Sequence, residues 1–385
     1  MSKKKNYTVR KFINDVHLWL GLGSGIILFL VCLSGTMLTF EEEIKDLFAH
    51  EMEVTPTAKP LSIENLTENL KNEGSVASVT ISDAADAPYE FRVKTSPEDR
   101  RGTPYFVDQY TGKIQAAEKS SLDGFFMTMF RMHRWLLFDS SIGRPIVGIA
   151  TLFFFFIAVT GVVLWFPKKV SGKSIKPGFK IKFSANWKRI NHDLHNTLGF
   201  YACIFLIIMS LTGLCWSFAW YRDAGTAVLG AQIFGNRGGG PKNEATLDST
   251  ATALTYDQLL KVVDRELDYP GKTTLNLPSG ENEPISVRKI NTSSWSPVIA
   301  DQLVLAQNGK VLSKEIFRDK PVNVQIASLI KPIHTGQIYG TFSKIIYFLA
   351  CLIATSLPVT GTIIWLNKMK KKNKKGNKKT TSSIA

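Results

Sequence analysis

Charge is missing from four long stretches of this 385-residue chain. Val16–Phe40, Pro145–Phe166, Leu194–Tyr221 and Ile345–Leu366 contain no Asp, Glu, Lys or Arg. A helix crossing a bilayer needs about 20 apolar residues at a rise of ~1.5 Å each, so every one of these stretches is long enough. Four of them argue against a set of ordinary soluble domains and predict a helical membrane protein with four spans. Cysteine is also scarce: Cys32, Cys203, Cys215 and Cys351 all fall inside the uncharged stretches. The polar segments therefore encode no disulfide framework, and the thiols read as small packing residues.

Acid is missing elsewhere. Residues 2–11, residues 167–189 and the tail from Lys368 carry five, eight and eight Lys/Arg and no Asp or Glu. Together these contribute +21 against a chain total of +15, which leaves −6 for the remainder. Basic residues beside spans hold short loops in the cytoplasm. Residues 1–15, 167–193 and 367–385 are accordingly expected inside, and residues 41–144 and 222–344 outside. The runs abut spans with no nucleic-acid-binding fold beside them, so no nucleic-acid partner is expected; membrane lipid is. The first apolar run resembles a signal peptide, but it is too long and is followed directly by Glu41, Glu42 and Glu43. It is expected to stay as an anchor.

Nucleotide motifs are absent in any usable context. Gly235–Gly240 lacks the strand before it and the helix after it that a phosphate cradle needs, and Gly21, Gly23 and Gly25 fall within a span.

What is present is repetition. His17, Gly21 and Gly35 in the first stretch recur as His195, Gly199 and Gly213 in the third. Val159-Thr160-Gly161 with Trp165 in the second recurs as Val359-Thr360-Gly361 with Trp365 in the fourth, each followed by lysines. Ahead of these stand His133 and His334, 28 and 27 residues before the matching glycines. The polar segments repeat as well. Helix-like stretches Ile63–Lys71 and Tyr256–Leu267 precede alternating runs, and Thr111-Gly112 and Asn308-Gly309 read as hairpin turns. The predicted architecture is a four-helix bundle built from a duplicated unit of span, small α+β outer module and span.

Ionisable residues at membrane depth usually face the bundle interior and mark function. His17, His192 and His195 fall at the inner ends of the first and third spans. His133 and His334 are expected at the outer ends of the second and fourth, and His50 reads as a surface residue. One histidine from each of two facing helices is the arrangement that holds a haem iron from both sides. Two layers would accept two haems: His17 with His195 inside, His133 with His334 outside. His192 competes with His195, being three residues away and able to face the same side. Interhelical hydrogen bonding, zinc and a proton relay are the other readings. Zinc favours larger clusters, and a relay would want carboxylates that these spans lack. Lys11 and Arg189 inside, and Arg131, Arg134 and Arg144 outside, could pair with haem propionates or with lipid headgroups.

The stretches HLWLGL…SGTML, HDLHNTLGF…LTG and VTG…W resemble the PepSY-associated transmembrane family of bacterial inner-membrane proteins. The outer segments, ending in YTGKI and QNGKV, are similar to PepSY-type domains. The resemblance covers nearly the whole chain. Its characterised members include a di-haem ferric-siderophore reductase, which implies b-type haem, an enzyme (an oxidoreductase), and reduction of ferric siderophores or other ferric chelates on the outer face of the inner membrane. Electrons would come from a cytoplasmic or quinol donor. The family's membrane histidines fall on His17, His133, His195 and His334. The other expectations for such a chain are a PepSY-type interaction protein that regulates an envelope protease, and a siderophore or iron permease.

Overall fold

A computed structural model describes residues 7–48, 52–57, 59–96, 99, 102–116, 121–235, 252–278, 280 and 283–381. Four helical stretches within it are long and apolar enough to cross a membrane: Val9–Leu38, Ser140–Trp165, Trp187–Ser217 and Thr341–Lys371. In chain order the helices are α1 (Val9–Leu38), α2 (Glu41–Phe48), α3 (Ile63–Asn69), α4 (Asp123–Trp135), α5 (Ser140–Trp165), α6 (Gly172–Ile175), α7 (Trp187–Asp193), α8 (Gly199–Ser217), α9 (Ala219–Leu229), α10 (Tyr256–Glu266), α11 (Val322–Thr335) and α12 (Thr341–Thr381).

The spans run past the uncharged windows where a cap or a break decides. α1 starts seven residues before Val16, because the Thr8 side chain accepts from Lys11 N and so closes the first turn. The third span ends before Tyr221, because Phe218 is extended (φ −128°, ψ 126°) and a new helix, α9, begins at Ala219. Between α7 and α8, Leu194–Leu198 form a π-helical turn that keeps the two helices continuous while adding one residue to the turn.

The two expected outer modules are one body. Eight strands form a single antiparallel sheet in the order β4-β3-β2-β1-β5-β6-β7-β8. The first half of the chain supplies β1 (Ser75–Ile81), β2 (Tyr89–Lys94), β3 (Thr103–Val107) and β4 (Ile114–Ala116). The second supplies β5 (Gly271–Asn276), β6 (Ile285–Asn291), β7 (Ala300–Leu305) and β8 (Val311–Glu315). The seam is β1 against β5, with Val79 opposite Leu275 and the Thr80 and Thr274 hydroxyls 3.0 Å apart. Pairing there satisfies backbone groups that each four-stranded sheet would otherwise leave open at its edge. β5 carries two threonines and an asparagine, and its apolar alternation is too weak to read as a strand from sequence.

One apolar core lies under the whole sheet. Leu66, Val79 and Phe91 from the first half pack with Leu259, Val263, Leu275 and Leu303 from the second, all of them fully buried. The two helices over this core cap each other. Ile63 N donates to Asp257 Oδ1 (3.4 Å), and Tyr256 N donates to Glu64 Oε1. A carboxylate at a helix N-terminus is favourable, and here each helix supplies the other's. The hairpin turns are as read: Gly112 and Gly309 take φ +72° and +82°, where a Cβ would be strained.

Short ion pairs tie α2 to α12 and α4. Lys344, at the start of α12, meets Glu43 of α2 at 2.5 Å, and Lys45 bridges Glu41 (2.7 Å) and Asp123 (3.0 Å).

Candidate histidine-paired centre

His133 and His334 do not sit at the outer ends of the second and fourth spans. They stand on α4 and α11, separate helices that precede those spans and turn their rings back into the bundle. His133 Nδ1 reaches Val31 O of α1 at 2.8 Å, and His334 Nδ1 reaches Met209 O of α8 at 3.0 Å. Their rings face each other with centroids 6.3 Å apart. His17 and His195 form a second facing pair, again 6.3 Å between centroids, with ring planes at 90°.

The π-helical turn separates the two competing histidines. His195 lies within it, opposite His17, whereas the His192 side chain is 55 % exposed and stands 3.6 Å from the Asp193 carboxylate. His192 lines the same cavity as His195 and His17.

Every ring is seated the same way, on a glycine of its own half of the chain. A Cβ on Gly161 would come 3.3 Å from His17 Cε1, and one on Gly361 would come 3.2 Å from His195 Cε1. On Gly35 it would come 3.0 Å from His133 Cε1, and on Gly213 it would come 3.0 Å from His334 Cε1. The Gly35 and Gly213 of the repeated signature are therefore seats for the other histidine layer. Gly21, whose position has open space within 4 Å, and Gly199 line the cavity beside the inner pair.

Hydrogen bonding settles the tautomers. His17 Nδ1 lies 3.0 Å from Thr160 Oγ1, and His195 Nδ1 lies 2.9 Å from Thr360 Oγ1. Each hydroxyl donates its own proton to a carbonyl one turn back, Phe156 O for Thr160 and Ser356 O for Thr360. What remains on each oxygen is a lone pair, so the imidazole Nδ1–H must donate. Val31 O and Met209 O can only accept, which imposes the same tautomer on His133 and His334. In all four neutral rings Nε2 is left without a proton, the state that binds a metal. Burial also lowers the pKa of both outer imidazoles, that of His334 to about 3.

The inner pair lines a cavity of about 570 Å³ between the spans, with Phe154, Leu28 and Leu206 at its deep end. Its basic lining differs from expectation. Lys11 is there, but Arg189 is held away by Asp193 (2.8 Å). Arg10 also lines the cavity and donates to Leu164 O and Phe166 O, both at 2.7 Å, closing the end of α5. Lys168 and Lys368 complete the lining. The signal for them lay in the repeat, since each follows its tryptophan, Trp165 or Trp365, by three residues. At the outer pair, Arg134 stacks over Phe130 and Trp135 (5.5 Å to each ring), while Arg131 and Arg144 are exposed. Trp135 Nε1, two residues from His133, is buried without a hydrogen-bond partner. His50 and residues 236–240 lie outside the described residues.

Along α1 the inner ring and the outer ring's acceptor are 14 residues apart, His17 to Val31, and His195 to Met209 repeats that spacing on α8. At ~1.5 Å per residue the two layers are about 21 Å apart, most of the ~30 Å thickness of a hydrocarbon core. Cys32, Phe154, Phe205 and Met209 pack against a buried cluster of Ala202, Leu206, Ala350 and Ala354, whereas Phe156 faces outward.

Residues 15–368 match the family model of the PepSY-associated TM region. The chain belongs to that family. It is a multi-pass membrane protein, and its family match runs from within the first span to within the fourth and includes the sheet. A comparison with curated proteins found no match.

The four imidazoles of this PepSY-associated TM protein fit a bis-histidine haem. A five-membered ring with bonds of about 1.33 Å has a radius of about 1.1 Å. With metal–nitrogen bonds of about 2.0 Å, two imidazoles on one iron have centroids about 6.3 Å apart. Both pairs stand at that separation. Among the described residues no three His, Cys, Asp or Glu side chains converge, so a zinc site would lack its usual ligand count.

Proposed function

We propose that this protein is an oxidoreductase of the bacterial inner membrane that holds two b-type haems and passes electrons outward to ferric siderophores or other ferric chelates. The observation that carries the reading is the pair of facing imidazoles at each level, 6.3 Å between centroids, with every Nδ1 committed to an acceptor. Haem would supply one-electron exchange at iron, which the protein's side chains cannot. His17 and His195 would hold the inner group, and His133 and His334 the outer one.

The chain's own residues do the rest. Thr160, Thr360, Val31 and Met209 orient the rings, and the seat glycines let them approach the helix axes. Lys11, Lys168 and Lys368 offer cations to propionates at the inner cavity, and Trp135 Nε1 offers a donor beside the outer pair. Termini and the 167–193 loop stand in the cytoplasm, with the sheet in the periplasm, as the basic residues favour. The two halves read as copies of one unit, each bringing two histidines and the two glycines that seat them. A cytoplasmic or quinol donor would feed the inner layer. With haem held there, the outer pair would stand where one electron could convert a ferric chelate to the ferrous one. Iron(II) is the weaker acid for oxygen-rich ligands and is released more readily.

A reduced-minus-oxidised absorption spectrum of the purified protein, with haem counted per chain, tests this directly. About two b-type haems per chain are expected, with His17→Ala and His334→Ala each removing a different one. The absence of any b-type signal would sink the reading and leave a PepSY-type interaction protein or a permease.

A further inference from the structure

Residues 167–189, between the second and third spans, hold eight basic residues and no acidic one. This segment is folded onto the bundle. Trp165 Nε1 donates to Gly178 O (3.1 Å), Tyr201 OH donates to Phe179 O (3.0 Å), and Lys182 N donates to the buried Asp193 carboxylate (3.3 Å). Trp165 stacks on Phe200 with centroids 3.8 Å apart, and Phe179 packs edge-on against both rings.

Those contacts fix where the segment runs. Phe200 and Tyr201 lie more than a turn into the third span beyond His195, and Tyr201 is half exposed on the flank of the bundle. A chain bonded there lies alongside the membrane-facing side of α8. All seven lysines of the segment are exposed, and among the described residues none is paired with a carboxylate. Between them stand Val170, Phe183 and Trp187, 70 %, 73 % and 61 % exposed.

Water would accept the lysines and reject the rings. The headgroup layer accepts both, because aromatic rings settle at the acyl boundary and ammonium groups meet phosphate. An acidic soluble protein would answer the charge, but not the position on the flank. We infer that residues 167–189 form a folded site for the headgroups of anionic phospholipids. The inference uses no property of the histidine centres.

The test uses the full chain in nanodiscs and the emission of Trp187, isolated by subtracting the Trp187→Phe variant. Brominated phosphatidylglycerol and brominated phosphatidylcholine are compared at equal mole fraction. The anionic lipid is expected to quench Trp187 at least twofold more strongly. Replacing Lys173, Lys176, Lys180 and Lys182 together with Gln removes the preference, whereas Lys370→Gln with Lys371→Gln keeps it. Raising salt to about 1 M, where the Debye length is ~3 Å, weakens it. Equal quenching by both lipids overturns the inference, as does a preference that survives the four substitutions. Quenching by neither lipid would also overturn it and point to a protein partner on this segment.

Discussion

Gly35→Ala is the sharpest probe of the outer pair, because it changes one methyl on a helix that carries neither outer histidine. The new Cβ would stand 3.0 Å from His133 Cε1 and 3.2 Å from Nδ1. That is tighter than ordinary packing, so the ring must retreat by a few tenths of an ångström. That retreat lengthens and weakens the 2.8 Å bond from Nδ1 to Val31 O. Overpacking of this kind costs about 1–3 kcal/mol, and a lost hydrogen bond about 1 kcal/mol. Removing a glycine from a helix returns about 1 kcal/mol. Folding stability should therefore fall by no more than about 3 kcal/mol, while the ring leaves its productive position. Disturbing the outer hydrogen bond of a ligating histidine costs up to about 10–100-fold in affinity. Haem per chain, measured by pyridine haemochrome under limiting haem, is expected to fall from two towards one. The retained haem should be the one that His17→Ala removes. Two haems bound with unchanged affinity and unchanged midpoint potentials would refute the seat argument.

Further expectations follow from neighbouring contacts. Thr160→Val and Thr360→Val each remove the acceptor of an inner Nδ1, and should weaken inner haem binding by about 10-fold and shift only the inner midpoint potential in a redox titration. Gly21→Ala meets open space in the protein alone and should raise apoprotein stability by about 1 kcal/mol in thermal unfolding. It should nevertheless reduce inner haem occupancy, and full occupancy would show that no ring lies against that helix. His192→Ala should leave two haems by difference spectroscopy, and His195→Ala should leave one; the reverse result would return His192 to the ligand set. Leu275→Ala, in the buried face of the seam strand, should cost about 2–5 kcal/mol and expose both halves of the sheet to protease together. Cleavage confined to the second half would argue against one cooperative sheet.

Much of this was legible in single residues and their spacing. The uncharged windows located the spans, because a bilayer tolerates few charges over ~30 Å and composition alone records that. The shared offsets of His17, Gly35, His195 and Gly213 marked matching helices, and the Val-Thr-Gly repeats marked their partners. The family followed from the same motifs. The hairpins at Gly112 and Gly309 were readable because a turn with φ > 0 is a local demand on one residue.

What stayed hidden depended on contacts between distant parts of the chain. Nothing local tells Gly35 that a ring 98 residues later will rest on it, or that Val31 O will accept from that ring. The union of two expected modules into one sheet depends on β5, whose weak pattern becomes a strand only beside β1. His195 stands opposite His17 on a π-helical turn, a backbone feature that sequence periodicity does not carry. The sequence by itself determined how many helices cross, where the charges lie and which residue types recur at each depth. The tertiary structure decided which ring faces which and what each glycine is for. Hydropathy and spacing are one-dimensional quantities, whereas a binding site is made by side chains that only folding brings within hydrogen-bonding distance.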